Sequence, residues 1–476
     1  MNAPKHVDIA IIGAGTAGLT ARQEVAKHTD NYVIIDPGPL GTTCARVACM
    51  PSKALIHVAN VYHQLLNAPK GVNTGQPPAP NLVEVMQHVR TLRDDFIAGV
   101  LQGMQGWQET HLIRKHARFL DPHTLDLEGQ RLTADRFIIA TGSEPNIPEP
   151  WQPFSEHLLD TNSFYELIEP PAKLVVIGLG PVGIELAQAL HQLGVEITGI
   201  NTSRNIGGLT DPEIQNYAIE YFFKHMKMDL HFASANIQEA DASHVSISVG
   251  EQIVHADRAL VATGRRPALQ NLGLENLGLH LDKHGLPEFD SATLKIAKLP
   301  IFLAGDVNRQ RPLQHEAADE GRIAGYNATQ TAPECFIRRT PLVITFTSPN
   351  IALVGQTFSE LQARENAFVT GRVNFEHQGR ARIMGANAGL LKVYADSRDG
   401  RLLGAELFAP GGEHLAHLLG WAISFQKTLA DLMLMPFYHP VLEEGLRSAI
   451  SDAAKQLEQS QTAYTQTMRC KDSPVN

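Results

Sequence analysis

Two cysteines at five-residue spacing carry the most distinctive chemistry in this chain. Cys44-Ala45-Arg46-Val47-Ala48-Cys49 runs directly into Met50-Pro51-Ser52-Lys53. Three chemistries suit such a pair. Buried, reduced thiols are the ordinary state of cysteine in a reducing compartment. A zinc site would call for Cys-x-x-Cys spacing and a second thiolate pair, and the other two cysteines, Cys335 and Cys470, stand alone. The third is a redox-active dithiol. Its position favours that reading, because the pair follows a nucleotide-binding pattern by only a few residues. No metal site is expected, and His414 and His417 read as ordinary helix residues.

That preceding pattern is Gly13-Ala14-Gly15-Thr16-Ala17-Gly18, and it recurs as Gly178-Leu179-Gly180-Pro181-Val182-Gly183. The first glycine allows a tight turn, the second admits a pyrophosphate to the backbone, and the third lets helix pack on strand. The phosphates then sit at a helix N-terminus, where free N–H groups and the dipole favour negative charge. The strand following each turn should end on a group that reads a ribose. In the first unit this is Asp36, which accepts from ribose hydroxyls and repels a 2′-phosphate. In the second it is Asn201, followed by Thr202, Ser203 and Arg204. Asn201 does not repel a phosphate and Arg204 could hold one, so NAD and NADP both stay open. Near the other end of the chain, His439 and Glu444 form a candidate base and its orienting carboxylate.

Elements must hold these residues. Val7–Ile12 and Leu174–Ile177 are apolar, β-branched runs that predict buried parallel strands. Helices are expected from the glycine turns towards Lys27 and Leu193, with second strands at Tyr32–Asp36 and Glu196–Asn201. Beyond about Pro341 the pattern changes to short alternating runs such as Gly389–Tyr394, with helices over His414–Phe425 and Leu446–Leu457. The expected fold class is α/β, with two Rossmann-like dinucleotide-binding domains and an α+β C-terminal domain.

Composition sets the outer limits. The 476 residues are 43% hydrophobic and 19% charged, which describes a folded chain of several domains. Forty Lys and Arg against 50 Asp and Glu give a formal net charge of −10. With no basic block, neither nucleic acid nor an anionic membrane is the expected partner. No uncharged apolar run is long enough to span a bilayer, and Met1–His6 is polar, so a cytoplasmic location is expected.

In the order and type of its motifs the chain resembles the flavin-dependent pyridine nucleotide–disulfide oxidoreductases, most closely their dihydrolipoamide dehydrogenase branch. Gly41-Thr42-Thr43-Cys44 through Lys53 resembles the family's active-disulfide helix. Thr141-Gly142-Ser143 and Thr263-Gly264-Arg265-Arg266-Pro267 resemble its two Thr-Gly turns. Phe302 to Asp306 resembles the flavin-contacting strand that ends in Gly305-Asp306, and Leu313 to Ala317, with His315, the helix start beneath the flavin. His439 to Glu444 resembles the His-Pro motif. The departures are Thr42 where glycine is usual, Arg46 for asparagine, Ala48 for glycine, and Asn201 for glutamate.

The resemblance implies FAD and NAD as cofactors, with NADP not excluded. It implies Cys44 as the interchange thiol, Cys49 as the thiol nearest the flavin, and Lys53 with Glu185 as the ion pair beside flavin and nicotinamide. Gly41, Thr43, Lys53, Thr141, Gly142, Ser143, Gly305, Asp306, His315 and Ala317 would line the flavin site, and Gly264 the nicotinamide side. Arg46 is a candidate stabiliser of the Cys44 thiolate. His439 would serve the disulfide of a second subunit, in a homodimer with composite active sites. The implied domains are FAD-binding over 1–148 and 271–342, NAD(P)-binding over 149–270, and dimerisation over 343–460, with a tail over 461–476. The implied activity is oxidation of a dihydrolipoyl arm supplied by a carrier protein or a 2-oxoacid dehydrogenase complex. The alternatives are an NADPH-dependent disulfide or metal-ion reductase and a catalytically idle FAD-binding module. Cys44→Ser separates the idle module from either enzyme. It should abolish dithiol turnover and leave flavin binding intact, and unchanged turnover would rule out the thiol mechanism.

Overall fold

Lys5–Ile12 is buried without interruption from Ile9 onward, as a strand covered on both faces must be. It pairs in parallel with Tyr32–Ile35 on one side and Gln130–Ile139 on the other. The computed structural model describes residues 5–457, apart from 70, 73–74, 76–77, 241–243 and 365–366. Cys470 and the expected tail lie outside the described residues.

The first sheet runs in the order Leu112–Ile113, Tyr32–Ile35, Lys5–Ile12, Gln130–Ile139, Thr124–Leu127, Arg118–Asp121. Much later the chain returns, and Ile301–Leu303 joins in parallel beside Gln130–Ile139. The return brings the helix Gln314–Thr329 across Thr16–Val25. The two backbones nearly touch: a Cβ at Gly321 would lie 2.3 Å from the Ala17 carbonyl oxygen, and one at Gly325 2.6 Å from that of Ala21.

Between departure and return lies a second sheet, ordered Asp229–Phe232, Glu196–Asn201, Lys173–Ile177, Arg258–Val261, Leu158–Leu159, all parallel. The short antiparallel pair Ser143–Pro145 and Arg265–Pro267 spans the crossing points between the two units. The third sheet is antiparallel throughout, in the order Leu342–Thr345, Asn350–Gly355, Leu402–Ala409, Leu390–Asp396, Phe368–Asn374. Gly412–Ser424 and Glu444–Ala454 pack their apolar sides on it. The architecture is therefore the mixed α/β class expected. Among the described residues no helix is long and apolar enough to cross a membrane.

The second unit is tied to the third sheet by buried charge. Asp211, fully buried, accepts from Lys392 Nζ at 3.0 Å and from the Tyr394 hydroxyl at 3.0 Å. Glu406, also fully buried, accepts from the backbone N–H groups of Thr210, Asp211 and Phe358. Burying two carboxylates is tolerable only because each is met by several donors. Lys392→Met leaves Asp211 without its cation, and removing one partner of a buried pair costs about 3–5 kcal/mol. The urea midpoint should fall accordingly, and an unchanged midpoint would show that Tyr394 and the helix N–H groups suffice.

Candidate active site

The two glycine turns are built alike. Gly13 and Gly178 have φ of +108° and +98°, and a Cβ on either would lie within 2.4 Å of the carbonyl oxygen of Ala140 or Ala262. Gly18 and Gly183 sit against the carbonyls of Gly13 and Gly178, where a Cβ would come within 1.9 Å. At Gly15 and Gly180 a Cβ would meet nothing. Each middle glycine thus faces open space at the start of a helix, Thr16–Val25 or Pro181–Gln192. This is the shape a dinucleotide phosphate needs.

Beside the first turn, Asp36 accepts from the Ala14 N–H at 2.6 Å and the Gly38 N–H at 2.7 Å. Asn201 holds the corresponding place in the second, accepting from the Leu179 N–H at 3.1 Å. Its amide then donates to the carbonyls of Ser203 at 2.9 Å and Asn205 at 2.8 Å. A carboxylate could not make those two bonds, so the loop over 201–205 is shaped around an amide. Arg204 is exposed, stacks on Phe232 at 5.2 Å and donates to Asn216 at 3.2 Å.

The two Thr-Gly turns and the Gly305-Asp306 turn converge. The Ser143 hydroxyl donates to Asp306 at 3.0 Å, and half-buried Arg265 donates to Ser143 Oγ at 2.7 Å and to its carbonyl at 2.6 Å. Thr141 Oγ1 is buried and has no hydrogen-bond partner among the described residues. Gly142 and Gly264 both have positive φ and open space where a Cβ would lie. A Cβ on Gly305 would meet those of Ala17 at 2.8 Å and Ala317 at 3.5 Å, which places this turn over the first phosphate-binding helix. His315 is exposed at the start of Gln314–Thr329. Glu320, fully buried, fixes the turn by accepting from the Gly305 N–H and the Asn308 amide, both at 2.6 Å, and pairs with Arg338 at 2.7 Å. The sequence reading assigned no role to Arg265 or Glu320.

The cysteines lie on two helices rather than one. Thr43–Val47 ends at Ala48, whose φ of −133° and ψ of −97° are not helical, and Cys49–Leu66 begins immediately after. Both thiols are free and only partly exposed. They are hydrogen-bonded to each other, and the shared proton splits their titration. The Cys49 thiol is pushed down to about 7, chiefly by the hydrogen bond from Cys44, with help from Lys53 and against burial. The same bond and burial push Cys44 upward. Cys49 is therefore the member that ionises first.

Four residues after Cys49, Lys53 Nζ meets Glu185 Oε2 at 2.8 Å and lies 4.7 Å from the centre of the Phe346 ring. Glu185 Oε1 accepts from the Phe346 N–H at 2.7 Å. Tyr165, fully buried, faces Glu185 and Cys49, and its hydroxyl reaches Ser52; burial holds the phenol in its neutral form. No local pattern in the sequence marks Tyr165.

Arg46 does not join the cysteine group. The charges it faces are Arg93, Asp36 and Glu166, and neither thiol is among them. His439 Nδ1 lies 3.0 Å from Glu444 Oε1, and the other carboxylate oxygen accepts from the Val441 N–H at 3.2 Å. The bond to His439 holds the Glu444 carboxyl below its ordinary range. This pair has no hydrogen bond or ion pair to the cysteine group within one chain, and the imidazole is 81% exposed.

A pyridine nucleotide–disulphide oxidoreductase family model matches residues 7–321, and the family's dimerisation domain matches 341–450. The chain belongs to this family. It is 32% identical over 463 residues to a dihydrolipoyl dehydrogenase of Thermus scotoductus, covering 95% of this chain and 98% of that one. It is 30% identical over 455 residues to a mercuric reductase of Staphylococcus aureus, covering 93% and 81%. LpdA of Mycobacterium tuberculosis superposes with a TM-score of 0.80 at 25% identity, covering 94% and 99%. The HOCl-induced flavoprotein disulfide reductase RclA of Escherichia coli shares the fold, with a TM-score of 0.81 at 22% identity over 93% and 99% of the two chains.

The chain is thus a flavoprotein disulfide oxidoreductase that uses FAD and a pyridine nucleotide. The residues present fit FAD: the open Gly15, Asp36 on the Ala14 N–H, the buried Thr141 hydroxyl and the Ser143–Asp306 pair offer space and polar groups suited to a dinucleotide. A pH titration of thiolate absorbance in the reduced protein should be half complete near 7. In Lys53→Met it should move up by about one pH unit or more, since a nearby cation favours the thiolate and Glu185 would then oppose it. An unmoved midpoint would leave Cys44 as the sole cause.

Proposed function

We propose that this enzyme is a dihydrolipoyl dehydrogenase, oxidising a carrier-bound dihydrolipoyl group through the Cys44–Cys49 disulfide and reducing NAD. The observation that carries the reading is the 32% identity to a dihydrolipoyl dehydrogenase over 95% of this chain; the chemistry is supplied by the thiol pair, whose Cys49 lies near Lys53 and is pushed down. A low-pKa thiol is the better leaving group in disulfide exchange. A substrate thiolate attacks Cys44 Sγ, the Cys44–Cys49 bond breaks, and Cys49 leaves as a thiolate. The second substrate thiol displaces Cys44, so that one substrate disulfide forms as one enzyme disulfide opens.

Both substrate thiols must lose protons in these steps. His439 is the acceptor, with Glu444 fixing its tautomer and stabilising the imidazolium. The base serves the disulfide of the other subunit, so each site of the homodimer is composite. Asp36 and the Gly13–Gly18 turn would hold the ADP half of FAD, Ser143 and Asp306 would add to its binding site, and Lys53 with Glu185 would border the flavin. Bound there, FAD supplies two-electron exchange between the thiol pair and the nicotinamide. The lipoyl arm comes from a carrier protein or a 2-oxoacid dehydrogenase complex in the cytoplasm.

A second reading, an NADPH-dependent reductase of a disulfide or metal ion, is favoured by one feature. The loop over 201–205 is wrapped around the Asn201 amide, which repels no phosphate, and carries the exposed Arg204, a cation able to meet one. Stopped-flow reduction by dihydrolipoamide, run in parallel with NAD and NADP, separates the two. Fast reduction of NAD is expected. A clear preference for NADP, or no turnover of dihydrolipoamide, would overturn the lipoyl reading in favour of the reductase.

A further inference from the structure

Glu316 and Glu320 stand one turn apart on Gln314–Thr329, so they share a helix face, and each side chain is 1% exposed. Like charges at that spacing repel, and burial removes the water that would soften the repulsion. The answering charge comes from outside the helix. Arg338, in the segment just before the third sheet, donates to Glu316 Oε2 at 2.6 Å and to Glu320 Oε1 at 2.7 Å, one carboxylate on each arm of its fork. Arg311 meets the other oxygen of Glu316 at 3.1 Å and the Arg339 carbonyl at 3.2 Å. The other oxygen of Glu320 accepts from the Gly305 N–H and the Asn308 amide. Two carboxylates and two guanidiniums thus balance, and every carboxylate oxygen has a donor. The acidic groups on the elements packed here are engaged elsewhere: Asp306 by Ser143, Asp319 by Arg322 and Arg339, and Glu24 by Lys27.

The quartet ends on a turn that borders the first dinucleotide site. Gly305 has φ +84°, and a Cβ on it would come within 2.8 Å of the Ala17 Cβ on Thr16–Val25. Ala17 follows the open Gly15 by two residues. From this we infer that Arg338 is a positioning residue for FAD: by pairing with both carboxylates it keeps Glu320 ionised on the Gly305 N–H, and so sets Gly305 and Asp306 against the phosphate-binding helix. It acts through Glu320 rather than on the cofactor. Burial pushes the Glu320 carboxyl above its ordinary range, and Arg338 opposes that. Without Arg338, Glu320 would take up a proton more readily still, and a protonated Glu320 needs no cation. The harm done by losing Arg338 is therefore greatest at high pH and fades as pH falls. This role rests on reading the Gly305-Asp306 turn as part of the FAD site, and not on the choice of thiol substrate.

The test is equilibrium binding of FAD to the apoprotein, followed by quenching of flavin fluorescence at about pH 8 and about pH 6. At the higher pH, Arg338→Met should bind FAD about ten-fold or more weakly than the unaltered protein, as for loss of a charged hydrogen bond. The deficit should shrink at the lower pH, where Glu320 holds a proton on Oε1 and still accepts from Gly305 and Asn308 through Oε2. Adding Glu320→Gln to Arg338→Met should restore much of the affinity at both pH values, since an amide oxygen accepts the same two bonds without a charge. Unchanged affinity in Arg338→Met would overturn the inference. So would a deficit equal at both pH values and unrelieved by Glu320→Gln, which would mean that Arg338 only packs. If Arg338→Met does not fold without the cofactor, Glu320→Ala cuts the same link from the side of the turn; it should weaken FAD binding, and normal affinity there would overturn the inference as well. Asp306→Ala tells the two failures apart. Normal FAD binding in that variant would take the turn out of the site, and the role of Arg338 with it. Weakened binding there beside intact binding in Arg338→Met would count against Arg338 alone.

Discussion

A carboxylate as deeply buried as Glu185, at 4% exposure, has to be met by donors or it will not stay ionised. It is met from two other parts of the chain: by Lys53 on the cysteine helix at 2.8 Å and by the Phe346 N–H beside the third sheet at 2.7 Å. Glu185 itself lies on Pro181–Gln192, the helix of the second glycine turn. One side chain therefore joins both nucleotide-binding units and the C-terminal region. Because Lys53 follows Cys49 by one helical turn, satisfying Glu185 also fixes where the thiols stand relative to the second nucleotide site. The hydrogen bond with Cys44 is the main cause that lowers Cys49, and the cation that meets the carboxylate adds to it. Packing between domains and tuning of the redox centre thus share a single interaction.

The second constraint is helical geometry. At about 100° per residue, two positions five apart on an unbroken helix point some 140° away from each other. Cys44 and Cys49 could not meet on such a helix. The break at Ala48 removes the conflict, and the two thiols come within hydrogen-bonding reach. Strain accumulates one turn earlier. Thr42 adopts φ +62° and ψ 148°, a region that a β-branched residue enters at a cost of about 1–3 kcal/mol. Its hydroxyl caps the Ala45 N–H at 3.2 Å, worth about 1 kcal/mol. The family pattern has glycine at this position, which needs no such compensation but offers no cap.

What the sequence made legible was local. The glycine turns declare themselves because each glycine has a steric reason at a fixed offset, and Asp36 and Asn201 fall where the following strand must end. The cysteine pair and the His439–Glu444 pair are short-range as well. The break at Ala48 was not legible, since alanine favours helix and only the meeting of the thiols explains the interruption. Arg265, Glu320, Tyr165 and the Asp211–Lys392 pair were not legible for another reason. Their meaning lies in partners far along the chain, as with Arg265 and Ser143 or Lys392 and Asp211. No periodicity records such a pairing. The direction of Arg46 was not legible either: its stem lies along Gly41, and Ile97, which a Cβ on Gly41 would also meet, comes from a distant segment.

The exposure of His439 bears on how the molecule must be assembled. An imidazole 81% exposed is bathed in water that competes for the proton and screens the carboxylate behind it. Glu444 can orient the ring in that state, but it cannot exclude solvent from the other face. In the same C-terminal part of the chain Leu418, Trp421, Phe425 and Tyr438 are all exposed. A family dimerisation domain covers this region, over 341–450. A second copy packed on this domain would have apolar side chains to bury. On the proposed reading this is why a base with no bond to its own cysteines can still work: assembly, rather than the fold of one chain, brings it to a disulfide and dries it.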